Sequence, residues 1–122
     1  MRISINTKDI ELTPELEAFI EEKFTSHIRK FVEGKNDPDL PTLHLEVGRS
    51  TKHHKKGMVY YAEASLAMGK NVLTAKAESE DVYAACDILR DEMEREVKKF
   101  SEKRQTLQKR GAREAKEEMR NQ

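Results

Sequence analysis

One cysteine in 122 residues rules out an internal disulfide framework. Cys86 falls in the apolar stripe of a helical segment, so it reads as a small buried hydrophobe. No cation is obliged to sit beside it, and a reactive thiol is not expected there. No apolar run reaches the length of a membrane span, and the first residues lack the long apolar stretch of a secretory signal. The expected setting is the cytoplasm, with no membrane partner. The five glycines, Gly34, Gly48, Gly57, Gly69 and Gly111, are scattered and form no phosphate-cradling loop. His53-His54 sits among lysines that disfavour a cation, with no Cys or further His at ligand spacing. No Ser or Cys stands in a recognisable nucleophile setting beside a His. The chain is therefore not expected to be an enzyme, and no metal, cofactor or small-molecule substrate is expected. Net charge is also missing: 23 Lys and Arg balance 23 Asp and Glu, so no global field draws the chain to nucleic acid.

What remains is local. The length allows one domain with one modest core and a tail. Charge is unevenly placed. Residues 8–23 hold Lys8 and Lys23 against Asp9, Glu11, Glu15, Glu17, Glu21 and Glu22. Segment 49–57 carries Arg49, Lys52, Lys55 and Lys56 with no acid, and residues 98–122 hold nine Lys or Arg and four Glu. A neutral chain with separated charge can still present a basic face.

Ile3 and Ile5 alternate with polar neighbours in a first strand. Thr13-Pro14 announces a helix: Thr caps free amides, and Pro fits the first helical position because its missing N–H would have no partner. Glu15 and Glu17 suit the helix dipole, and Leu16, Phe19, Ile20, Phe24, Ile28 and Phe31 give one apolar face. The helix should end before Gly34. Leu43, Leu45 and Val47 alternate in a second strand. A basic loop over 51–57 leads to a third, with Tyr60, Ala62, Ala64, Leu66 and Met68 on one face. A tight turn at Gly69-Lys70-Asn71 leads to a fourth strand with Leu73, Ala75 and Ala77. Ser79 is the expected N-cap of a second helix, followed by Glu80 and Asp81 in its first turn. That helix runs without Gly or Pro to Arg110, with Val82, Cys86, Leu89, Met93, Val97 and Phe100 as its apolar stripe. Residues 111–122 are expected to be a disordered tail. The fold class is α+β, in the order β-α-β-β-β-α. A four-stranded sheet with both helices on one face buries every apolar stripe, and the crossover makes the first strand parallel to its neighbour. The expected division is an α+β domain over 1–104 and a basic helical extension with a disordered tail over 105–122.

On the second helix Arg95, Lys99 and Lys103 follow at steps of four, on a side separate from the apolar stripe. Such a ridge of fixed cations can dock on a phosphate backbone. The competing explanation is a solvated charged face kept soluble by Glu94, Glu96 and Glu102. Lys23, His27 and Lys30 share a flank of the first helix, where His27 is either half-buried filler or part of a basic edge. Lys52, Lys55 and Lys56 form either a solvated loop tip or a phosphate contact.

Three stretches, in order, resemble a known family: Ile10-Glu11-Leu12-Thr13-Pro14, Leu73-Thr74-Ala75-Lys76-Ala77-Glu78, and Glu80-Asp81-Val82-Tyr83-Ala84-Ala85-Cys86-Asp87. They are similar to the ribosome hibernation-promoting factors, a family that includes the ribosome-associated inhibitor and was once called sigma-54 modulation protein. The similarity covers roughly residues 1–104. It implies a fold like a double-stranded-RNA-binding domain with an extra leading strand. It also implies a translation silencer, active in stress, that binds 16S rRNA of the small ribosomal subunit in the channel used by mRNA and tRNA. Family contacts on the outer side of both helices map onto Arg95, Lys99, Lys103, Lys23 and Lys30, and the basic loop adds Lys52, Lys55 and Lys56. Glu92 departs from the pattern, since the family usually has Lys at that turn. The expected form is the short one, without the dimerising C-terminal domain of long members, and monomeric in solution. Two other functions fit the residues: a module that binds a transcription factor through its acidic first helix, and a generic double-stranded-RNA binder.

Overall fold

The alternating segments form strands in a computed structural model, which describes residues 1–32, 41–50 and 59–120. In chain order the elements are β1 (Arg2–Lys8), α1 (Pro14–Val32), β2 (Thr42–Arg49), β3 (Tyr60–Met68), β4 (Asn71–Ser79) and α2 (Val82–Arg120). The sheet order is β1-β2-β3-β4. β1 runs parallel to β2, and the other neighbours are antiparallel. A single register row, Ile5, Leu45, Ala64 and Ala75, crosses all four strands. β3 and β4 are joined by the two-residue turn Gly69-Lys70, in which Gly69 takes the left-handed φ of 59° that a side chain resists.

One sheet face holds the core. Leu43, Leu45 and Val47 on β2 and Ala62, Ala64 and Leu66 on β3 are buried there. Against them α1 brings Leu16, Ile20, Phe24 and Ile28, and α2 brings Ala85, Cys86, Leu89, Met93 and Val97. Both helices thus share one face and pack on each other. Alanines at 62, 64, 75 and 77 end at Cβ, so α2 can lie close over β3 and β4.

The two helix starts differ in how far they follow the sequence. At α1 the Thr13 Oγ1 accepts the Leu16 N–H at 3.2 Å, ahead of Pro14, as the Thr-Pro pair predicts. At α2 the cap is Asp81, not Ser79. The Asp81 Oδ2 accepts the Ala84 N–H at 3.2 Å, while Ser79 Oγ accepts the Asp81 N–H at 3.4 Å. The reason is the sheet: Ser79 pairs with Tyr60 at the end of β4, so its backbone belongs to the ladder. Glu80 and Asp81 consequently precede the helix, and its first turn carries no acid.

α2 also runs further than its apolar stripe. It passes through Gly111 and continues to Arg120, a helix of 39 residues, where the sequence predicts a break after Arg110. A lone glycine costs a helix only about 1 kcal/mol, and no proline follows to stop it.

Candidate nucleic-acid interface

The core stripe of α2 fixes where its cations point. With Met93 and Val97 fully buried, Arg95, Lys99 and Lys103 are exposed on another side of the same turns. Each of the first two is held by an acid one turn earlier. The Arg95 Nη1 donates to the Glu92 Oε1 at 2.6 Å, and the Lys99 Nζ lies 3.9 Å from the Glu96 carboxylate. Lys98 pairs likewise with Glu94 at 3.5 Å. Exposed pairs of this kind add only a few tenths of a kcal/mol each. Their effect is to orient side chains, and a phosphate competes readily for such cations. Lys103 forms no ion pair with another described residue.

Lys23 is placed differently. Its ammonium sits 3.8 Å from the Asp87 carboxylate of α2 and 5.4 Å from the centre of the Phe19 ring. Phe19 in turn meets Tyr83 edge-on at 5.0 Å. Lys23 therefore clasps α1 to α2 and is a half-buried edge of the surface rather than its centre. Arg90 shows a similar economy, bonding its neighbour Asp91 at 2.6 Å with its side chain only 18% exposed. Of the other candidate residues, Lys30 lies on α1 with its side chain outside the described residues, as does that of His27. Lys52, Lys55, Lys56 and His53-His54 lie outside the described residues altogether.

The opposite sheet face has another chemistry. Asn6, Glu46, Glu63 and Lys76 form one row across it, with Lys76 paired to Glu63 at 3.2 Å. They line a shallow concavity of 550 Å³. The Tyr61 phenol is pushed up from its usual range by burial and by its hydrogen-bond partner Glu46. Its floor holds two carboxylates, Glu46 and Glu63, the second of them paired with Lys76. Cys86 is buried, and burial together with Asp87 and Asp81 pushes its thiol up to about 12, so it is a packing residue. Among the described residues, no group of three His, Cys, Asp or Glu could hold a metal, and no helix is long and apolar enough to cross a membrane.

This arrangement matches known proteins along most of its length. The model of the sigma 54 modulation protein / S30EA ribosomal protein family matches residues 3–105. The chain belongs to that family. A ribosome hibernation promoting factor of Pseudomonas putida is 30% identical over 110 residues, covering 88% of this chain and 93% of that protein. A ribosome hibernation promotion factor of Picosynechococcus is 30% identical over 109 residues, which are 84% of this chain but 50% of that longer protein. In fold, the chain is similar to a ribosomal subunit interface protein of Coxiella burnetii, with a TM-score of 0.64 at 19% identity, covering 82% of this chain and 97% of the other. The N-terminal domain of Protein Y from Thermus thermophilus superposes with a TM-score of 0.63 at 20% identity, covering 82% and 99%.

Proposed function

We propose that this chain is a ribosome hibernation factor of the cytoplasm that silences translation by occupying the small subunit. Arg95, Lys99 and Lys103 dock on 16S rRNA phosphates, with Lys30, Lys52, Lys55 and Lys56 as flanking contacts and Lys23 at the edge. The bulk of the domain then denies the channel to mRNA and tRNA. The observation that carries this is the exposed cation ridge of α2, Arg95, Lys99 and Lys103, in a chain of this family. A-form RNA is read mainly through shape and backbone, which suits a ridge without base-reading groups. No covalent chemistry, metal, cofactor or small-molecule substrate is needed, and a monomer suffices. Co-sedimentation with purified small subunits tests this directly. The protein should pellet with empty subunits and be excluded by prior filling with tRNA and message. Simultaneous saturation by both places its site elsewhere.

A second function is favoured by one observation: Glu15, Glu17, Glu21 and Glu22 of α1 are all exposed, an acidic strip that suits a basic protein partner such as a transcription factor. Charge removal on α1 would then abolish partner binding and leave subunit binding intact.

A further inference from the structure

Two consecutive eleven-residue stretches of α2 differ sharply in charge. Residues 92–102 carry Glu92, Glu94, Glu96 and Glu102 against Arg95, Lys98 and Lys99, a net of −1. Residues 103–113 carry Lys103, Arg104, Lys109, Arg110 and Arg113 with no acid, a net of +5. The second stretch lies on the part of the helix that projects from the domain, where Lys103, Thr106, Leu107 and residues 109–113 are exposed. At 3.6 residues per turn, Arg95, Lys99, Lys103, Arg110 and Arg113 fall within an arc of about 80°, a line about 27 Å long. The ridge therefore does not stop with the domain. Its inner cations are leashed to Glu92 and Glu96, while Lys103, Arg110 and Arg113 form no ion pair with a described residue.

A helix with five like charges in three turns and no core beneath it is self-repelling and marginal alone. Gly111 weakens it further, with open space where a Cβ would be. A polyanion removes the repulsion. A second copy of the helix does not: the positions three and four away from Leu107 are Lys103, Arg104, Arg110 and Gly111, so no apolar seam exists for a coiled coil.

We propose that the projecting half of α2 is a second RNA contact, a helical arm that carries the ridge through Arg110 and Arg113 onto phosphates beyond the reach of the globular domain. It rests on the small-subunit reading above. The arm is loosely helical when free and is set as a helix by the RNA, so Gly111 tunes the strength of the contact.

The test compares four chains: wild type, a chain ending at Arg104, Arg110→Ala/Arg113→Ala, and Gly111→Ala. Affinity for purified small subunits is measured across a salt series. The double variant should lower the slope of log affinity against log salt by about two, and the truncated chain by at least as much. Gly111→Ala should tighten binding about threefold, and Gly111→Pro should behave like the truncation. Trypsin should cut after Lys109, Arg110 and Arg113 in the free protein and be blocked in the complex. Equal slopes for wild type and truncated chain overturn the arm while leaving the small-subunit reading intact. Loss of slope with no effect of either Gly111 substitution overturns the helical arm in favour of a loose basic tail. A dimer abolished by truncation, with subunit binding unchanged, assigns the arm to the acidic α1 of a second copy instead. Absence of subunit binding by every chain overturns both readings together.

Discussion

From Val82 to Phe100, α2 lays Ala85, Cys86, Leu89, Met93 and Val97 into the core; beyond Ser101, no described side chain of the same helix is buried. One helix thus has two kinds of support. The inner half is held by tertiary packing and tolerates balanced charge of both signs. The outer half leans on local helix propensity, and its Lys103, Arg110 and Arg113 form no ion pair with a described residue. Core packing ends part-way along a single element, while the proposed cation ridge runs over both halves.

The largest contrast is in stability. Leu89→Ala should cost about 2–5 kcal/mol, because a fully buried side chain leaves a cavity. Leu107→Ala, at a position 57% exposed, should stay within about 0.5 kcal/mol. Denaturant melts of the two variants check this, and comparable losses would show that the outer half packs on the domain.

Next comes binding. Replacing Arg95, Lys99 and Lys103 together by Ala should lower the salt slope of subunit binding by about three, with the melting temperature nearly kept. A triple variant that binds as wild type does would make the ridge a merely solvated face.

The packed domain also sets an alkaline limit. Burial with Asp87 and Asp81 holds the Cys86 proton up to about 12 from an ordinary 9.0, and burial with Glu46 raises Tyr61 above 10.0. The folded chain keeps these protons where the unfolded chain sheds them, so their stabilising contribution is complete below about pH 9 and is lost as pH climbs toward 12. Stability measured across that range should fall, and Cys86 should react with a thiol reagent only as fast as the protein opens. Rapid stoichiometric labelling of the native protein would contradict its burial.

The smallest effect concerns Glu92. Its bond to Arg95 both orients and neutralises that cation. Glu92→Lys should tighten subunit binding and steepen the salt slope by about one, with a stability change of about 0.3 kcal/mol. A flat or weaker result would mean that orientation of Arg95 matters more than added charge.

Much of this was legible in the residues. The alternation of Leu43, Leu45 and Val47 and of Ala62, Ala64 and Leu66 announced strands, because side chains on a pleat alternate faces. Thr13-Pro14 announced a helix start for local reasons. The start of α2 is not legible locally, because its cap depends on a long-range fact, the pairing of Ser79 with Tyr60. Lys23 was readable as a flank residue but not as a clasp, since Asp87 comes from another helix. The length of α2 escaped prediction because one glycine without a following proline is a weak stop. The ridge positions follow from periodicity, whereas the ion pairs that hold Arg95 and Lys99 depend on side-chain geometry. Nothing in periodicity distinguishes a leashed cation from an unleashed one.

The parallel pairing of β1 with β2 sets an order in time. β3 and β4 meet across two residues, and β2 and β3 are ten residues apart in the chain, but β1 pairs with β2 across the whole of α1. Closing that long connection is entropically the most expensive pairing in the sheet. The meander of β2, β3 and β4 with α2 can therefore assemble first, leaving β1 as the last strand to dock and the first to open. Amide hydrogen exchange should accordingly be faster along Ile3–Thr7 than along Ala62–Leu66, and the reverse order would place β1 in the folding nucleus.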